Sequence, residues 1–153
     1  MCDLSNVVTW LLVILGWVLV HYLTTVRERR KDIGEAVAGL VDRIYELEDD
    51  AIKFHKAESF DHFAARDIVT EVSRVSMDLV TAPFSALRIR PDLMKQVRRS
   101  MTLQNFEEAR FKSLPANNQV IGKIGAAADD LARAVRGQYH DRYYSHWWQC
   151  MRA

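Results

Sequence analysis

The sequence predicts an all-α protein with one N-terminal transmembrane helix that continues into a cytoplasmic bundle of about four helices. Three observations predict it. Residues 7–26 run for a full span without a charge, the apolar residues beyond them repeat at helical spacing, and no segment sustains the period-two alternation of a strand.

The apolar run VVTWLLVILGWVLVHYLTTV extends from Val7 to Val26 with no Asp, Glu, Lys or Arg. At about 1.5 Å per residue, some 20 helical residues cross a hydrocarbon layer of roughly 30 Å. A lone strand would leave its backbone polar groups unpaired in lipid, so a helix is expected. Trp10 and Trp17 fall one heptad apart, Leu15 lies mid-span, and Tyr22 sits near the far end where amphipathic rings favour the interface. His21 is the one ionisable side chain in the run; one turn from the basic end, a neutral imidazole there reaches the headgroup region. A core helix of this length would carry polar residues on one face, and an interfacial helix would need such a face. A cleaved signal would carry a basic region before the run and small residues after it, and neither is present.

Asp3 is the one charged side chain before the run, whereas Arg27, Arg29, Arg30 and Lys31 follow it at once. Basic residues stay on the cytoplasmic side, so the expected topology is single-pass with the N-terminus outside. Residues 1–26 then form the tail and span, and residues 27–153 the cytoplasmic domain. The cluster also suits anionic headgroups. Cys2 and Cys150 lie near opposite ends and are expected to be free thiols, since the span would separate them.

Beyond the cluster, Ile33, Val37, Leu40, Ile44, Leu47, Ala51 and Phe54 follow in alternating steps of four and three. This stripe is either the buried face of a helix in a bundle or the seam of a coiled-coil dimer, and the bundle is favoured. A second helix is expected from about Phe60 to Thr81, capped by Ser59, with Phe63, Ala64, Ile68, Val72, Val75 and Leu79 inward. Pro83 ends it or starts the next short turn, and Pro91 opens a third helix with Leu93, Met94, Val97 and Met101 inward. Thr102 is expected to cap a further short helix carrying Leu103, Phe106 and Phe111. Residues 113–118 form a loop. The last helix starts near Asn118 and passes Tyr139, with Gly137 a candidate end.

Candidate sites are sparse. His55, Glu58 and His62 have metal-ligand spacing, but a helix start at Ser59 would split their face, and two partly exposed histidines at a junction are expected instead. Arg88, Arg90, Lys95, Arg98 and Arg99 form a basic segment expected to be a solvated face or to pair with the acidic run Glu46–Asp50; of its active roles, lipid headgroups are favoured over nucleic acid phosphates or an acidic protein surface. The tail from Tyr139 includes Tyr143, Tyr144, Trp147 and Trp148, too much ring surface for a free tail; it either packs on the bundle, lies at the bilayer interface or docks a partner. His140, Asp141 and His146 accompany no recognisable nucleophile motif.

Phosphate loops, zinc-protease helices, esterase elbows and dinucleotide fingerprints are all missing from the sequence. The net charge of +1 points to no polyanionic partner, so nucleic acid is not expected. The expectation is a noncatalytic module, without cofactor, metal or small-molecule substrate, that assembles with itself or a protein partner at the inner membrane face. The rival is a membrane-perturbing effector, a toxin or defence component acting through oligomerised spans.

Overall fold

The computed structural model describes residues 4–103 and 105–144. Among them the chain forms four α-helices and no strand: α1 (Leu4–Lys56), α2 (His62–Val80), α3 (Pro91–Thr102) and α4 (Gln119–Tyr143). Short 3-10 turns at Phe84–Ala86 and Glu108–Arg110 lie in the connections. The chain divides into two compact units, Met1–Glu35 and Ala36–Ala153.

In the first unit, α1 begins at Leu4 and runs unbroken through the apolar segment and the basic cluster. An 18-residue window within it has a mean hydropathy of 1.8, and none of that window is buried. By length and composition this helix can cross a membrane.

The second unit is a helical bundle. α1 contributes Val37, Leu40, Val41, Ile44, Leu47, Ala51 and Phe54, all buried. The stripe is therefore core within this chain from Val37 to Phe54, which leaves a dimer seam no free apolar surface there. Ile33, one heptad step earlier, is half-buried. α4 brings Ile121, Ile124, Ala127, Ala128, Leu131, Ala132 and Val135 to the same core. At Gly125 the Glu48 side chain of α1 comes close to α4: a Cβ added there would meet Glu48 Oε1 at 3.0 Å. Gly137 does not end α4, which continues to Tyr143. A glycine inside a helix costs up to about 1 kcal/mol relative to Ala, too little to stop one supported by tertiary packing.

α2 departs from expectation in its phase. Asp61, not Ser59, is the N-cap; its Oδ1 accepts from the Phe63 and Ala64 amides at 2.8 and 3.1 Å. The buried face is Ala65, Ile68, Val72, Val75 and Leu79. Phe63, expected inside, is 79% exposed. Five residues before Ile68 places it about 140° away around a 3.6-residue turn.

The expected helix after Thr102 does not form. Leu103 is exposed, while Phe106 and Phe111 are only half-buried. Their rings pack against Phe54 at centroid distances of 5.0 and 5.3 Å, from irregular chain. Asn105 sets the course of this chain. It adopts φ 59°, in the left-handed region that Asn tolerates better than most residues. Its amide group donates to the Lys112 carbonyl at 2.8 Å and accepts from the Lys112 N–H at 2.7 Å. The loop so closed delivers Ser113 and Leu114 to the end of α1. There the Leu114 N–H donates to the His55 carbonyl and the Ser113 hydroxyl to the Lys56 carbonyl, both at 2.9 Å. These are last-turn carbonyls with no partner inside the helix, so the loop serves as the cap of α1.

Candidate membrane anchor and interaction surface

Along the first unit, apolar side chains face outward on every side of the helix. Trp10 is 68% and Trp17 69% exposed, and every residue from Leu11 to Leu15 is exposed as well. Five consecutive residues cover more than one full turn, so no polar face exists in this stretch. Val7 lies in the helix by its backbone. Thr24 and Thr25 donate their hydroxyls to the Val20 and His21 carbonyls at 2.9 and 3.0 Å. Such back-bonding satisfies these two hydroxyls within the helix. The His21 ring stacks on Trp17, 5.5 Å between centroids and 3° between planes. Val26 is half-buried, and Arg27, Arg29, Arg30 and Lys31 are exposed, Lys31 standing 3.6 Å from Glu35.

In the second unit the ionic interactions fall into two kinds. Arg43 on α1 is held by α2: its Nε donates to Glu71 Oε1 at 3.0 Å, and its two terminal nitrogens donate to Glu71 and Asp78 at 2.5 Å each. The Glu71 hydrogen bonds raise the Arg43 pKa, against an opposing contribution from burial. For Glu71, burial pushes upward, but hydrogen bonds and charge from Arg43 and Arg74 win and hold the carboxyl below its ordinary value. This clamp sits at a cleft of about 730 Å³ between α1 and α2, edged by Glu46, Asp50, Lys53, Asp61 and Asp67. Sequence periodicity could not find it, because the stripe argument counts only apolar positions.

α3 is different. Its N-terminus is Pro91, so Arg88 and Arg90 precede the helix and share no helical face with Lys95 and Arg99. Arg90 turns to Asp92, with nitrogens 3.2 and 2.5 Å from the two carboxylate oxygens. Lys95, Arg98 and Arg99 are exposed and have no acidic partner within 4 Å among the described residues. Val97 and Met101 are buried as expected, and Leu93 and Met94 are half-buried. Between α2 and α3 lies a groove of about 460 Å³. Val72, Met77, Leu79, Val80, Ile89 and Met94 supply its apolar lining, and Arg90, Lys95 and Arg98 its basic side.

His55 is fully buried, contrary to the partly exposed junction histidine expected. Its Nε2 lies 3.1 Å from the Met101 carbonyl, an acceptor only, so Nε2 carries the proton. The donated bond caps a last-turn carbonyl of α3. Burial lowers the His55 pKa, and the Met101 hydrogen bond opposes that shift only in part. His62 is exposed, 3.4 Å from Glu108, so it shares no face with His55. Among the described residues no cluster of three metal-ligating side chains forms. His140 and Asp141 are exposed and 4.0 Å apart at their nearest polar atoms. Tyr143 packs on Tyr139 at 5.2 Å, and Tyr144 stacks on His140 at 5.6 Å. His146, Trp147 and Trp148 lie outside the described residues.

No protein-family model matches the chain, and no curated protein or solved structure matches it significantly.

Proposed function

We propose that this chain is a single-pass membrane protein, N-terminus outside, whose cytoplasmic helical module works by assembly with a protein partner or with further copies of itself, not by catalysis. One observation carries the proposal: the apolar window in α1 is exposed around its whole circumference, with none of it buried. Apolar surface left in water costs about 25 cal/mol per Å². A core helix hides such a surface and an interfacial helix hides half of it. Lipid solvates all of it at once.

The orientation rests on Arg27, Arg29, Arg30 and Lys31, which follow the span directly. Assembly is supported by large apolar side chains that the second unit leaves exposed elsewhere, Phe63 at 79% and Leu103 at 73%. Apolar surface of this kind suits a protein partner or a second copy.

The test uses the full chain. Membranes from expressing cells are washed with alkaline carbonate, then dissolved in mild detergent, and the mass of the protein particle is measured by light scattering. The chain is expected to stay in the washed membrane and to emerge in a particle whose protein mass, after subtraction of bound detergent, exceeds its 17.7 kDa. Release by the wash contradicts the anchor. A lone monomer in detergent, with nothing bound, contradicts assembly.

A further inference from the structure

We propose that the α2–α3 groove is a binding site for an anionic membrane lipid, with one acyl chain along the apolar floor and the phosphate headgroup against Lys95 and Arg98. The inference rests on the reading of the chain as a membrane protein and adds a ligand and a site to it.

The floor comes first. Met77 is 62% and Val80 67% exposed, although both lie on a helix whose other face fills the core. Together with Ile89 and Met94 they line a recess of about 460 Å³, within the roughly 300–1,000 Å³ of ordinary ligand sites. Methionine suits an acyl chain, being flexible and polarisable enough to follow its bends.

Charge selects the head. Lys95 and Arg98 are three residues apart on α3, hence on neighbouring positions of one helix face. Both line the recess, both are exposed, and neither has an acidic partner among the described residues. Arg90, the third cation there, is already engaged by Asp92. Two cations without an acidic partner among the described residues, beside an apolar recess, complement a phosphate that carries a hydrocarbon chain.

A helical peptide is the competing occupant, and the floor is too short for it. A docked helix sets apolar anchors at i, i+3 or i+4 and i+7, over two turns or more. On α2 the exposed apolar lining is confined to Met77 and Val80, and the recess in the preceding turn is lined by Ser73 and Ser76. One flexible chain fits a single apolar turn; a row of anchors does not.

The experiment holds the full chain in a nonionic amphipol and follows amide hydrogen exchange over residues 72–80 and 91–98. Three probes are added in turn: soluble dihexanoyl-phosphatidylglycerol, dihexanoyl-phosphatidylcholine and inorganic phosphate. Exchange is expected to slow several-fold with the phosphatidylglycerol and to stay unchanged with the other two. The effect is expected to vanish in a Lys95→Glu/Arg98→Glu double variant and to weaken in Met77→Gln, all three sites being on the surface. Equal slowing by the zwitterionic lipid, by inorganic phosphate, or in the double variant overturns the proposal, as does no slowing with any probe. No bilayer is needed in this measurement, so its failure is separate from release of the chain by the alkaline wash.

Discussion

Two stretches of the same helix carry similar apolar residues in two different arrangements. Residues 8–25 and residues 37–54 both belong to α1, and both are rich in Val, Leu and Ile. In the second stretch the apolar residues form a stripe, and the stripe is buried: Val41 and Ala51 have no exposed surface. The opposite face holds Asp42, Glu46, Asp49 and Lys53 in water. In the first stretch the apolar residues go all round, and all of them are exposed. A stripe needs a protein partner on one side, whereas an apolar cylinder needs an apolar medium on every side. The two stretches thus differ in how much of the helix circumference is apolar and in whether that surface is buried.

The largest effect expected from this comparison is a pair of truncations. Ile44→Ala is expected to destabilise the bundle by about 3 kcal/mol, the usual cost of emptying a packed core site. Leu19→Ala, the same kind of deletion in the exposed stretch, is expected to leave bundle unfolding unchanged. Urea denaturation of the full chain in detergent, followed by far-UV circular dichroism, measures both. A matching loss from Leu19→Ala would erase the distinction between the stretches.

A smaller effect sharpens how the second stretch is held in place. Arg43→Met removes the clamp to Glu71 and Asp78, leaving Glu71 with Arg74 alone and Asp78 without its Arg43 partner. Arg43 is over a third exposed, so solvent screening reduces the loss to about 1 kcal/mol. The same denaturation curves read it, and a variant that also carries Glu71→Gln is expected to recover part of the loss.

The smallest effect depends on pH and arises at the end of the second stretch. Burial depresses the His55 pKa in the folded state below its ordinary 6.5. The unfolded chain therefore binds the proton more readily, and stability must fall as pH drops below about 6.5, levelling off once the folded form also protonates. Above that pH the contribution is complete and flat. Melting temperature against pH is expected to fall on the acid side in the parent and to be flatter there in His55→Leu. An unchanged acid slope in the variant would assign the effect to other groups.

Much of this fold was legible in the sequence, because its strongest signals are periodic. The apolar run, the stripe from Val37 to Phe54 and the alanine-rich face of α4 each repeat over several turns. What was not legible depends on a single cap or a single long-range pair. The N-cap of α2 at Asp61, not Ser59, is such a case, whereas the exposure of Phe63 was already implied by its five-residue spacing from Ile68. The aromatic residues Phe106 and Phe111 looked helical by spacing, but Asn105 in a left-handed conformation bends that chain back over the end of α1. The basic segment was visible as composition. Which of its members are free was not, since that depends on Asp92 beside Arg90 and on the turn of α3 toward α2. His55 looked like one of two surface histidines until the Met101 carbonyl gave its ring a buried partner.

Labelling of the two native thiols tests the central claim most directly. Cys2 precedes the apolar run and Cys150 lies far beyond it. Cells expressing the full chain are treated with a membrane-impermeant maleimide, intact or after permeabilisation, and each cysteine is scored by mass spectrometry. If residues 7–26 reside in lipid with the N-terminus outside, Cys2 reacts in intact cells and Cys150 reacts only once the membrane is opened. Equal reactivity of the two thiols under both conditions would place them on one side and contradict the account.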